Sequence, residues 1–306
     1  MYRILSLDGG GLRGLLTAKL LERLEQARPG FLAQVDLFAG TSTGGILALG
    51  LAAGLMPAEI GALYKESAAH VFADSFLDDV RDLGKLIGAD YSNHALRRGI
   101  LDRIGDITLN DLPRKVLISS FHLDNNPQTT GMLRRWKPKF FHNFPGPDSD
   151  GDQRLVDVAL RTSAAPTYFP IYQGYADGGV VVNNPSTCAL AQAICPDYGG
   201  QSLRTICLLS IGTGLVSKYV TVLDGDWGLA QWAPHLVSLM IEGGVGMAEY
   251  QCKQILGRRA MRINPLLPGD IGMDQVERIP LLEEIALAED LREAIRWLKR
   301  YYKSSP

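Results

Sequence analysis

Residues 35–44 read VDLFAGTSTG, and the apolar run ILALGLAA follows from Ile46 to Ala53. Val35 to Ala39 has the continuous hydrophobicity of a buried strand, Gly40 to Gly44 the small residues of a tight turn, and Ile46 to Ala53 the character of an apolar helix stopping at Gly54. Between that strand and that helix, Gly40-Thr41-Ser42-Thr43-Gly44 matches the G-x-S-x-G nucleophile elbow. The spacing has a steric cause. A serine held on a sharp strand-to-helix turn takes strained backbone angles, so the residues two before and two after it must be small for neighbouring backbone to come close. Its hydroxyl then stands near the positive end of the helix dipole. Taken alone, the same pattern also describes a glycine-rich turn whose serine merely caps a helix.

The chain opens with a similar unit. Tyr2 to Leu7 is β-prone, Asp8 and three glycines follow, and Leu12 to Leu24 carries leucines at helical spacing. Pro57 is placed to start another helix. Further strands are expected over Lys115–Leu123, Ile171–Ala176 and Arg204–Ile211, the last closed by Gly212-Thr213-Gly214, and further helices over Leu155–Arg161 and Pro185–Ile194. Strands alternating with helices predict an α/β fold with a parallel or mixed sheet covered on both faces. Asp74 to Tyr91 is irregular, either a mobile cover over a site or a surface connection packed by its own apolar residues. Pro280 to Tyr302 has an apolar stripe through Leu281, Leu282, Ile285, Ala288, Leu291, Ile295 and Leu298. It reads as one helix, covering the sheet or touching a membrane peripherally through Trp297, Tyr301 and Tyr302.

Asp8-Gly9-Gly10-Gly11-Leu12-Arg13-Gly14 also satisfies G-x-G-x-x-G, the dinucleotide-binding pattern. That fold needs an acidic residue closing the second strand to grip the ribose; here Asp36 opens the strand and Gly40-Thr41-Ser42 closes it. Consecutive glycines at a helix N-terminus have another use, because their unobstructed N–H groups can stabilise an oxygen that becomes negative in a transition state. Gly9, Gly10 and Gly11 are therefore candidate oxyanion donors. Arg13, in the same first turn, either binds a substrate phosphate or braces the loop through Asp8.

A serine nucleophile needs a base, and the usual order on such folds is Ser, acid, His. His70, His94, His122 and His142 all precede Asp177, the acid best placed at a strand end; only His235 follows, in a mostly apolar stretch. A Ser42–Asp177–His235 triad is one reading. In the other, Asp177 is itself the base, since Gly178-Gly179 permits a turn that aims its carboxylate into a cleft. Asp177 by itself also fits an ordinary turn aspartate.

The bulk properties narrow the classes. With 306 residues, 46% hydrophobic and 21% charged, and a net charge of −2, the chain has the profile of a globular protein with a large core. No basic block marks a nucleic-acid partner. No apolar run reaches the roughly 18 residues of a membrane-spanning helix, and the opening MYRILSLDGG lacks a secretory leader, so a cytoplasmic location is expected. Cys188, Cys195, Cys207 and Cys252 show no metal-ligand spacing and read as reduced. Asp148, Asp150 and Asp152 hint at a calcium loop, but Gln153 and Ala159 occupy the positions where an EF-hand needs Gly and Glu.

As a set, DGGGLRG at Asp8–Gly14, GTSTG at Gly40–Gly44 and DGG at Asp177–Gly179 resemble the patatin-like lipid acyl hydrolases. TSAAPTYFP (Thr162–Pro170), VNNP (Val182–Pro185) and SIGTG (Ser210–Gly214) add to the likeness. The resemblance spans roughly residues 1–215 and is loose beyond. It implies a three-layer α/β/α fold with a mostly parallel central sheet, and hydrolysis of phospholipid or other lipid esters by a Ser42–Asp177 dyad without histidine. It also implies Gly10 and Gly11, with or without Gly9, as oxyanion donors, Arg13 at a position linked to phosphate binding, and no metal or organic cofactor. One catalytic domain is expected over residues 1–306, with the motifs in 1–215 and a helical region over 216–306.

Overall fold

The computed structural model describes residues 1–66, 93–126, 133–221, 225–272 and 274–302. The irregular stretch Asp74–Tyr91 lies outside the described residues.

The first strand, β1 (Tyr2–Leu7), lies inside the sheet, between β2 (Leu37–Thr41) and β6 (Ile206–Ile211), and runs parallel to both. Outward from β2 come β3 (Lys115–His122), parallel, and β4 (Lys137–His142), antiparallel; outward from β6 comes β8 (Ala260–Ile263), parallel. The order is β4-β3-β2-β1-β6-β8, with the short β5 (Tyr175–Asp177) pairing antiparallel to β3. A second, two-stranded sheet joins β7 (Leu215–Val216) to β9 (Leu266–Leu267).

Successive side chains of a strand point to opposite faces, and the core divides accordingly. Leu5, Leu7, Phe38, Val116, Ile118 and Leu209 join one cluster; Ile4, Leu37, Ala39, Leu117, Ile206 and Leu208 join the other. Over the first face lie α1 (Gly14–Ala27), α2 (Thr43–Ala52), α3 (57–66), α4 (His94–Ile104), α5 (Leu155–Thr162), α8 (Ile279–Ala288) and α9 (Arg292–Tyr301). Over the second lie α6 (Ser186–Ile194) and the C-terminal half of α7 (Leu229–Leu256). This is the expected three-layer α/β/α fold with a mostly parallel sheet. The register aligns Leu7 with both Gly40 and Ile211, so the loops after β1, β2 and β6 leave from one edge, where ligands bind in open α/β sheets.

Four departures from the sequence expectations have physical causes. Strand β5 starts only at Tyr175, because Gln173 and Gly174 (φ +50° and +81°) form a tight turn within the bridge Tyr172–Tyr175. The helix expected over 280–302 is two: Asp290 accepts the Arg292 backbone N–H at 3.0 Å and restarts the chain as α9. The region beyond 216 is not wholly helical, since it supplies β8 to the main sheet. Finally, β4 was hidden by its own chemistry, Lys137, Pro138 and Lys139 being the residues that guard a sheet edge.

The α8–α9 stripe covers the sheet. Leu282, Ala286, Leu291, Ala294, Trp297, Leu298 and Tyr302 are buried in the first core, and Trp297 Nε1 donates to the Arg258 carbonyl at 3.0 Å. Trp297 and Tyr302 are thus unavailable to a membrane. The four cysteines are unbridged, and none of the described helices is long and apolar enough to cross a membrane.

Candidate active site

Ser42 joins β2 to α2 with φ +54° and ψ −125°, in the positive-φ region that side chains rarely occupy. The surroundings over-determine that strain. A Cβ on Gly40 would fall 2.1 Å from the Gly44 carbonyl oxygen, and one on Gly44 would fall 2.2 Å from the Leu7 oxygen, so both elbow glycines are required by backbone contact. The Ser42 N–H donates to Thr162 Oγ1 at 2.9 Å, and that hydroxyl donates to the Ser119 carbonyl at 2.5 Å. Thr162, at the end of α5, therefore ties the Ser42 turn to β3.

The register brings Asp177 to the serine. Thr41 stands opposite Ser119 on β3, and Ser120 stands opposite Asp177 on β5, so β3 bridges two residues remote in sequence. A Cβ on Gly178 would meet the Ser119 carbonyl oxygen at 2.5 Å, so the turn after β5 needs glycine to lie this close to β3. The Asp177 carboxylate is buried and accepts a hydrogen bond from the Gly179 N–H at 2.7 Å, and the Ser42 hydroxyl lies close enough to favour its ionised form. Burial pushes its pKa up to about 6, against the opposing pull of the Ser42 hydroxyl and the Gly179 N–H.

The glycine loop lies against the same serine: a Cβ on Gly9 would stand 3.2 Å from Ser42 Cβ. The three glycines are not equivalent. Gly9 donates its N–H to the Asn183 carbonyl at 3.1 Å, which corrects its place among the oxyanion donors, because that proton is already committed. Gly10 and Gly11 open a 3-10 turn, and among the described residues neither donates its N–H to a protein acceptor. Thr213, in the loop after β6, fixes the strip from behind by donating its hydroxyl to the Gly9 carbonyl at 2.8 Å. A Cβ on Gly10 would clash with that same hydroxyl at 2.2 Å.

Asp8 is braced by Arg262, not by Arg13. The Arg262 guanidinium on β8 makes a bidentate pair with the buried Asp8 carboxylate (Nη1 to Oδ1 3.0 Å, Nη2 to Oδ2 2.5 Å) and reaches Ser210 Oγ at 2.7 Å. Desolvation nonetheless pushes the Asp8 pKa up, with Arg262 opposing it. Arg13 instead folds onto its own turn, Nε to the Gly10 carbonyl at 3.4 Å, and forms no salt bridge among the described residues. Burial lowers its pKa while Asp270 and Glu242 hold it up.

Several of these supports were not singled out from the sequence: Thr162, Asn183 and Thr213 lay inside quoted motifs without a role, and Arg262 carried no signal at all. The remaining sequence candidates go elsewhere. His235 on α7 stacks on Trp227 (ring centroids 5.8 Å apart). Asp148 accepts from Tyr198 and Asp150 from the His142 N–H, so both serve the loop they sit in.

A strained serine beside a buried carboxylate, at the carboxyl edge of a mostly parallel sheet covered by helices on both faces, defines a class of α/β/α protein. Comparison gives that class its family: the chain belongs to the patatin-like phospholipases, whose family model matches residues 5–190. Among similar proteins, Protein teg of Priestia megaterium is 31% identical over 98% of both chains. A cGAMP-activated phospholipase of Pseudomonas aeruginosa is 33% identical over 89% of this chain and 81% of its own. Another of that name, from Vibrio cholerae, is 38% identical over 69% of this chain and 64% of its own.

Proposed function

We propose that this protein hydrolyses carboxylic esters of lipids, phospholipids first among them, with Ser42 as nucleophile and Asp177 as its base. The observation that carries this reading is the strained Ser42 turn set by strand β3 beside the buried Asp177 carboxylate, whose ionised form the Ser42 hydroxyl favours. Asp177 takes the proton as Ser42 Oγ attacks the ester carbonyl, and the free N–H groups of Gly10 and Gly11 stabilise the tetrahedral oxyanion. The alkoxide leaves with the proton returned by Asp177, giving an acyl-enzyme. Water, deprotonated by the same carboxylate, then releases the fatty acid. A pKa near 6 makes Asp177 a stronger base than an exposed aspartate while leaving it ionised at neutral pH. Arg13, with its positive charge beside the glycine turn, holds the substrate phosphate.

Access to a bilayer falls to α7 and not to α9. Residues 229–241 (LAQWAPHLVSLMI) contain no Asp, Glu, Lys or Arg, and Leu229, Val237 and Met240 are exposed. Trp227 and Trp232 pack edge to face at the start of that segment, the residue type that favours the headgroup region. A peripheral insertion of this segment would present the neighbouring site to lipid.

The test is covalent labelling with a fluorophosphonate probe beside turnover of a phospholipid panel. Labelling of Ser42, loss of turnover in Ser42→Ala and Asp177→Asn, and retention in His235→Ala are expected. Loss in His235→Ala with retention in Asp177→Asn would instead favour the triad reading.

A further inference from the structure

Away from the serine, the antiparallel edge of the sheet encloses a cleft of about 290 Å³ lined by His122, Lys137, Lys139, Gln153, Arg161 and Tyr175. Its volume falls just under the usual range for drug-sized ligands, so it suits a smaller molecule. Its charges are unbalanced. Lys139 pairs with Asp150 at 2.6 Å, and the nearby Asp124 is taken by Arg134. Among the described residues Arg161, however, is held only by neutral groups, Nη1 on Gln153 Oε1 at 2.8 Å and Nε and Nη2 on Gln173 Oε1 at 2.9 and 2.5 Å, and Lys137 has no salt bridge. Desolvation, then Lys137, lowers the pKa of His122 in the same cleft.

The Arg161 guanidinium and the His122 ring are also fixed in place. The His122 ring stacks on Tyr175 with centroids 4.2 Å apart, and the Arg161 guanidinium lies 5.0 Å from the Tyr175 centroid and 5.2 Å from that of Phe141. A guanidinium fork held in one orientation beside a free ammonium suits a phosphate, whose oxygens take bidentate hydrogen bonds and whose charge two cations can balance. Fixing those groups before binding reduces the entropy lost on association.

Two walls of the cleft reach the proposed catalytic pair, β5 by carrying Asp177 and α5 by carrying Thr162, which holds the Ser42 N–H. Tyr175 is two residues before Asp177 on β5, and Arg161 directly precedes Thr162, the acceptor of the Ser42 N–H. Ser120 Oγ joins the two walls, 3.1 Å from the Arg161 carbonyl and 2.9 Å from the Ala176 carbonyl. We propose that this cleft is a second ligand site, taking a small phosphate-bearing molecule, whose occupancy adjusts Ser42 and Asp177 through α5 and β5. The ligand class rests on the cleft alone; the effect on turnover rests also on the proposed roles of Ser42 and Asp177.

Binding is read by titration calorimetry on the Ser42→Ala protein, independently of turnover. Inorganic phosphate, glycerol 3-phosphate and AMP serve as free ligands, and phosphatidylglycerol vesicles against phosphatidylcholine vesicles as the headgroup arm. Saturable binding in one arm is expected, weakened at least about tenfold by Lys137→Gln and by Arg161→Gln. Lys137→Gln, on the sheet edge, keeps the test readable if Arg161→Gln fails to fold. In the native protein the bound ligand is expected to change kcat on a soluble ester, and Lys137→Gln is expected to keep the basal rate but not the response. No saturable binding in any arm up to about 10 mM, or affinities unaltered in both variants, overturns the site. Binding without any change in kcat overturns the coupling and leaves the site.

Discussion

Replacing Asp177 by asparagine should make the protein more stable at neutral pH while destroying its proposed chemistry. Asp177 is only 5% exposed, and burial lifts its pKa from 3.8 to about 6. The folded chain therefore binds this proton more tightly than the unfolded chain does. Stability contributed by the group is complete below the unfolded value, declines as pH rises through the gap, and is gone above about 6. A gap of roughly two pH units at about 1.4 kcal/mol each is a penalty on the order of 3 kcal/mol carried by the ionised state at pH 7.5. Asparagine retains an oxygen to accept from Gly179 and carries no charge, so it escapes most of that penalty. Denaturant unfolding of both proteins at pH 7.5 and at pH 4 measures it. Asp177→Asn should be more stable by up to about 3 kcal/mol at pH 7.5, an advantage that shrinks towards pH 4. An asparagine variant no more stable than the native protein at pH 7.5, with a difference that ignores pH, would refute the account of a carboxylate held ionised against its surroundings.

The same ionisation should shape turnover: kcat/KM on a soluble ester is expected to fall about tenfold per pH unit below about 6, and a profile flat to pH 4.5 would remove Asp177 as the base. Gly44→Ala, whose Cβ would meet the Leu7 oxygen at 2.2 Å, should cost about 3 kcal/mol or more. Gly54→Ala, strained at φ +97° but facing open space, should cost about 1 kcal/mol, and equal losses by denaturant unfolding would contradict the packing argument. Arg262→Met should cost about 3–5 kcal/mol by stranding the Asp8 charge, and adding Asp8→Asn should recover most of it, which a double-mutant cycle reads directly.

Much of the parallel frame was legible because its signals are local. Buried parallel strands are continuous apolar runs, and the turns that follow them are dictated by glycines whose missing Cβ atoms face neighbouring backbone, as at Gly40, Gly44 and Gly178. The Ser42 turn could be read for the same reason. What could not be read depends on distant partners. Gly9 and Gly10 look alike in sequence, and only the Asn183 carbonyl distinguishes the spent donor from the free one. Arg13 is close to Asp8 in the chain, yet Arg262 reaches it first through the pairing of β6 with β8. Edge strand β4 breaks the alternation that a sequence reading looks for, and the Asp290 restart inside 279–301 rests on one backbone hydrogen bond.

The clasp between Asp8 and Arg262 means that the smallest competent fragment is longer than the recognisable signature, which ends at residue 190. Trimming to that signature would strip the counter-ion from a carboxylate sealed under the glycine loop and let the strip of donors drift. Substitutions at Arg262 can accordingly reach the glycine loop from behind, without altering the α7 side chains proposed to meet lipid.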